Sequence, residues 1–211
     1  MRHKAWNMGH LTKAEFLLFK KLNSPVKIQN FLERLPINFE EDKDTLFSPR
    51  RVLKEKKAHC FEGALFAAAA LWVNGEKPLI MDLETVEGDD NHVVALFRQG
   101  GYWGAISKTN HAVLRYREPV YRTLRELAMS YFHEYFINNG KKTLRAFSDP
   151  LDLSKKKFDG WVTADDDLWG IDKEFREVLY TPILNKEQQK NLRRADAVEI
   201  EAGKLTVWKK K

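Results

Sequence analysis

The stretch "KKAHCFEGALFAAAALW", residues 56–72, decides how the rest of the chain is read. From about Cys60 to Val73 the pattern is helical, and Asn74-Gly75 ends it in the manner of a C-terminal cap. The alanine run reads as the buried body of that helix, while Cys60 belongs to its N-terminal tip. Cys60 is the only cysteine in the chain. Cysteine is among the most buried residue types, so simple packing is one reading. The other is chemical. At a helix N-terminus the unpaired N–H groups and the helix dipole favour negative charge, which turns a thiol into a better nucleophile.

Working outward, the N-terminal side carries clear helix starts. Thr12-Lys-Ala-Glu15 is a capping box ahead of "FLLFKKL", predicting a helix over about 13–22. Ser24-Pro25 opens "VKIQNFLERL", which Pro36 closes, and Ser48-Pro49 opens "RRVLKEKK". "INFEEDKDTLF" between them reads as loop. On the C-terminal side three strands are expected: "PLIMDLET" (78–85), "HVVALF" (92–97) and "YWGAIS" (102–107), the last two joined by the hairpin signal "RQGG". Pro119 introduces an expected long helix over about 120–138, with Leu124, Leu127, Ala128, Tyr131 and Tyr135 as its core-facing stripe. Beyond it, "AFSDPLDLSKKKFDGW" reads as loop, short helices are expected around 172–180 and 186–194, and "AVEIEAGKLTVW" reads as a terminal hairpin. The division expected is 1–140, holding the helices and strands of the core, and 141–211, an extension packed on the same domain.

Composition narrows the function. The 211 residues suit one good-sized domain, and a hydrophobic content of 43% supplies a core. No apolar run approaches the ~20 residues of a membrane helix. "MRHKAWNMGHLTKAEF" lacks the apolar core of a secretion signal, and the expected location is cytoplasmic. The net charge of +6 comes from 36 basic and 30 acidic residues interleaved along the chain. With no zinc-finger spacing, aromatic RNA-binding motif or phosphate loop beside the basic clusters, no nucleic-acid partner is expected. The acidic clusters "EGDDN" (87–91) and "ADDDLW" (164–169) lack a calcium-loop spacing, so no metal or other cofactor is expected; aspartates before "LW" also suit a helix N-cap.

A cysteine nucleophile needs a base within reach, and that base needs an orienting partner. His59 is adjacent to Cys60 and points elsewhere on a helix start. His92, opening the strand "HVVALF", is the better candidate, because a helix, a strand and a turn are enough chain to fold it back over the helix tip. Hairpin arithmetic then places its orienter. A Gln99-Gly100 turn sets His92 opposite Ser107, and a Gly100-Gly101 turn sets it opposite Thr109. Either register brings "SKTN", residues 107–110, beside the imidazole, with Asn110 the best acceptor there and Ser107 and Thr109 the weaker ones. Trp103, on the same strand, is a candidate wall for an acyl group.

The order of Cys60 in "HCFEGALFAAAAL", His92 in "DDNHVVALF" and Trp103 in "YWGAISKTN" resembles the transglutaminase-like core of the papain-like cysteine enzymes, and in particular a bacterial group of that superfamily. The resemblance spans roughly residues 45–120. It implies an α+β fold in which N-terminal helices pack on a small antiparallel sheet. It also implies acyl transfer or amide hydrolysis through a thioester on Cys60, with a peptide, protein or small amide as substrate. The family's aspartate stands four residues after the tryptophan, a place taken here by Ser107. A papain-like fold without catalysis, serving as a binding module, is the other function expected of this pattern.

Overall fold

The computed structural model describes residues 11–210 of the chain; the N-terminal stretch read above for a leader lies mostly outside them. The architecture is α+β. Helices α1 (Lys13–Lys21), α2 (Pro25–Glu33) and α3 (Pro49–Glu55) precede the central helix α4 (Cys60–Val73). Their starts follow the sequence signals: Thr12 and Glu15 form the expected capping box, and Ser24 and Ser48 cap helices that begin at Pro25 and Pro49. Helix α4 is apolar on all sides and accordingly lies inside the molecule, with Ala64 to Ala70 at most 1% exposed.

Strands β1 (Leu79–Thr85), β2 (His92–Gln99), β3 (Tyr102–Ile106) and β4 (Arg117–Tyr121) are joined by β5 (Leu144–Ser148), β6 (Leu151–Asp152) and β7 (Tyr180–Pro182). All pairings are antiparallel, in the order β4-β3-β2-β1-β5-β7, with β6 beside β1. The period-two alternation of strands sorts side chains to two faces. Ile80, Val93, Ala95, Phe97 and Ile106 join the core under α4, while Met81, Leu83, Val94, Leu96 and Ala105 join a second core on the opposite face. That second core is closed by α5 (Leu124–Met129) and by Tyr131, Phe132 and Tyr135. The β2–β3 hairpin turns at Gly100-Gly101, both with positive φ, so Gln99 faces Tyr102 and Ala95 faces Ile106.

Several expectations are corrected. Residues 117–121 form β4 in place of the start of a long helix. Pro119 fits there because β4 is an edge strand, where a missing N–H leaves no ladder bond unmade. The helix that follows is short, and a turn of 3₁₀ helix at Phe132–Glu134 takes its place. The side chains expected to face the core still do, with Leu127, Ala128, Tyr131 and Tyr135 buried. "AFSDPLDLS" holds strands β5 and β6, hinged at Asp149-Pro150, and Tyr180, the last residue of the helix expected at 172–180, instead opens strand β7. The helices nearby are α6 (Trp169–Phe175) and α7 (Lys186–Lys190). The expected terminal hairpin is helix α8 (Ala197–Gly203): Asp196 and Glu199 form a capping box, which outweighs the alternation of Val198 and Ile200. Asp167 is no helix cap; it accepts from the Leu46 N–H and from Arg51. No helix among the described residues is long and apolar enough to cross a membrane.

Candidate active site

Cys60 is the first residue of α4, and its surroundings are built by the cap. His59 is the N-cap residue; its Nδ1 accepts the Phe61 N–H at 3.2 Å, while its Nε2 lies 3.0 Å from the Thr45 carbonyl. Glu62 closes a capping box by accepting from the His59 N–H at 2.9 Å. It is fully buried and also accepts from the Asn38 amide, the Thr45 hydroxyl and the Phe47 N–H. A buried carboxylate needs such a complete set of donors. Glu62 thereby ties the 38–47 loop to the helix tip, a role larger than the dipole compensation its position alone implies.

The strand pair delivers the second imidazole. His92 is buried at the start of β2, and its Nε2 lies 2.7 Å from Ser107 Oγ. The Gly100-Gly101 turn formally sets His92 opposite Thr109, so Ser107 reaches it as the diagonal neighbour on the same face. Ser107 Oγ is also 2.5 Å from the Leu114 carbonyl oxygen. A carbonyl has no proton to give, so the hydroxyl donates to Leu114 and can only accept from His92. That assigns the proton to Nε2 and leaves Nδ1 as the basic nitrogen. Leu114 itself has φ +59, a left-handed backbone that is rare for a branched residue and concentrated at functional sites. Glu134 holds its N–H at 2.6 Å.

The Ser107 backbone is clamped from the other side. Gln29 of α2 accepts the Ser107 N–H at 3.0 Å and donates to its carbonyl at 2.7 Å. The adjacent Lys108 is 1% exposed and donates to the Leu32 and Leu35 carbonyls at the end of α2. Its passage over the first turn of α4 explains Gly63: a Cβ there would stand 2.4 Å from Lys108 Cβ. Gly63 is thus the close-approach position that lets the 107–109 segment, and with it the histidine's partner, lie against the helix that carries Cys60.

The electrostatics converge on the thiol. Burial opposes its ionisation, but hydrogen bonding with His59 and His92 and their positive charge outweigh that, bringing the Cys60 pKa down to about 5. Burial likewise works against the His59 imidazolium, yet the thiolate, Glu62 and the Thr45 carbonyl raise its pKa to about 9. Behind the site, burial raises Asp82 to about 6, against the hydrogen bonds it accepts from Tyr180 and Asn91 and with the help of the Cys60 charge.

Cys60 and His92 line one cavity of about 530 Å³, together with Asn110, Leu114, Tyr135, Ile200 of α8 and Lys204 just after it. Of the residues singled out from the sequence, Cys60, His92 and Ser107 come together. Asn110 does not orient the histidine. Its side chain pairs with the Trp208 backbone, at 2.8 and 3.0 Å, and so fastens the chain after α8. Trp103 is not at the site either. It faces Arg98 near the hairpin turn, at the far end of β3, because four residues of strand carry it roughly 13 Å from Ser107. Gln29, Leu114 and Tyr135 are the positions that sequence reading missed: an amide on a helix, a strained leucine in a loop and an apparent core tyrosine carry no local signal. Among the described residues no group of three or more His, Cys, Asp or Glu is arranged to hold a metal ion. No family model matches the chain, and no curated protein matches it significantly.

Proposed function

We propose that this protein is a cysteine-dependent acyl-transfer enzyme with a papain-like, transglutaminase-like core, acting on amide or ester carbonyls. One observation supports the reading most. Cys60 and the imidazole of His92 line one cavity, and that imidazole's Nε2 is fixed as a donor to Ser107. In this scheme the Cys60 thiolate attacks the carbonyl carbon, a C–S bond forms, and the carbonyl π electrons move to oxygen. Collapse of that intermediate breaks the C–N or C–O bond, and the leaving group takes the proton held by His92. Neutral His92 then removes a proton from water or an amine as it attacks the thioester, and the thiolate departs. Water as acceptor gives hydrolysis, and an amine gives transamidation.

Ser107 performs the orienting role that an aspartate plays in related triads, as a neutral acceptor. Alkylation of Cys60 by iodoacetamide across pH tests the reading. The expected midpoint lies near 5 and rises in His92→Ala. A midpoint near the ordinary thiol value of ~8.5, unmoved by His92→Ala, overturns it and leaves a binding module.

A further inference from the structure

The buried polar side chains on the cavity wall are His92, Lys108, Thr109 and Tyr135. Three of them are engaged: His92 with Ser107, Lys108 with the carbonyls ending α2, and Thr109 with the His111 N–H. Tyr135 differs. It is 3% exposed, yet its hydroxyl is buried without a hydrogen-bond partner. Its backbone is pinned, since the Tyr135 carbonyl accepts the Thr143 N–H at 3.1 Å and Phe136 bridges to Lys142. Burial, and then the negative charges of Cys60, Asp82 and Asp89, hold the phenol protonated, so it is a donor in need of an acceptor.

The helix tip presents a matching donor. The Cys60 N–H, at the first position of α4, has no intrahelical partner by its place in the helix, whereas the Phe61 N–H is taken by His59. We infer that the Tyr135 phenol is a further catalytic residue, donating with the Cys60 N–H to the oxygen of the acyl group under attack at Cys60. The inference rests on the thioester reading above. When the thiolate adds to the carbonyl carbon, the oxygen gains the displaced electron pair. The two donors stabilise that oxyanion until the C–N or C–O bond breaks and the carbonyl re-forms; neither gives up its proton.

Tyr135→Phe removes only the oxygen, and two reagents separate its roles. Iodoacetamide alkylates Cys60 by displacement at carbon without an oxyanion, so its rate is expected to stay within twofold of wild type and its pH midpoint to stay in place. Acylation by p-nitrophenyl acetate, followed as the burst of nitrophenolate, is expected to slow by about 10²-fold, the effect of removing one oxyanion donor. Equal slowing with both reagents overturns the inference in favour of a packing role. A burst within twofold of wild type overturns it as well, leaving a tyrosine that is only structural. No burst in the wild-type protein, with His92→Ala also leaving the thiol midpoint unmoved, overturns the thioester reading and the role of Tyr135 with it.

Discussion

Two imidazoles meet at Cys60, one from the helix cap and one from the strand pair, and they are built to different ends. His59 is committed to architecture: its Nδ1 accepts the Phe61 N–H and its Nε2 faces the Thr45 carbonyl. In that arrangement it is the neutral tautomer with the proton on Nε2. Protonation, which the thiolate and Glu62 favour, would convert Nδ1 from acceptor to donor and give up the cap bond. His92 has one nitrogen fixed by Ser107 and the other free of structural duty. A catalytic base must take and return a proton in every turnover. Only His92 can do so without undoing a helix start; a protonated His59 adds positive potential beside the thiol at the expense of its cap bond.

The contrast breaks first at His92. His92→Ala is expected to lower acyl transfer by roughly 10²–10⁴-fold, the range of general acid–base contributions, while thermal stability changes little. An equal loss in His59→Ala and His92→Ala would mean that the two rings share the proton and that the division of labour is wrong. Ser107→Ala tests the fixed tautomer. One neutral hydrogen bond contributes ~1 kcal/mol, so the expected loss is about fivefold in acyl transfer. Ser107→Asp, which supplies the acidic acceptor of a Cys-His-Asp triad, is expected to recover that loss at a cost in stability, because a second carboxylate oxygen must be buried near Leu114.

His59→Asn comes next in size. Asparagine is a strong N-cap and preserves an acceptor for the first-turn N–H groups, so stability is expected to hold within about 1 kcal/mol. The thiol loses one of two imidazoles, and the alkylation midpoint is expected to rise by less than in His92→Ala. A larger rise than in His92→Ala would assign the proton to the cap histidine.

How much of this is legible in sequence follows the same line between local and long-range causes. Helix starts at Thr12, Ser24 and Ser48 were readable because a cap is a local hydrogen bond among residues three apart. The His92 and Ser107 encounter was readable because hairpin geometry converts spacing into proximity. The choice of Ser107 over Asn110 was not. It depends on a left-handed Leu114 that aims a carbonyl at the hydroxyl, and on Gln29, 78 positions away in the chain, clamping the serine backbone. Strand β4 is hidden for a related reason: Pro119 signals a helix start locally, and only its place at the sheet edge makes it acceptable in a strand. Distant residues also explain His59. Side-chain direction alone sets it aside as a partner, and the groups that raise its pKa are the thiolate and Glu62 of its own helix and, from the 38–47 loop, the Thr45 carbonyl.

The smallest expected effect concerns the carboxylates that anchor the two histidines. Glu62 accepts from the His59 N–H and has donors on both oxygens, whereas Asp82 holds Asn91, the residue before His92, through Oδ2 alone. Tyr180 also donates to Oδ2, and Oδ1 is buried without a partner. The pKa of Asp82 is raised from 3.8 to about 6, chiefly by burial, so the folded state binds this proton more tightly than the unfolded one. Its stabilising contribution is therefore complete below the unfolded value and lost as pH rises through about 6. Asp82→Asn keeps an accepting oxygen for Tyr180 and Asn91 and does not titrate. Relative to wild type it is expected to gain stability between about pH 4 and 6, reaching on the order of 1–3 kcal/mol, and to hold that gain at higher pH. The thiolate's own pH dependence is common to both proteins and largely cancels in the difference. Denaturant midpoints at pH 4 and 7 decide it, and an identical wild-type-to-variant gap at both would show that Asp82, like Glu62, is satisfied as a carboxylate.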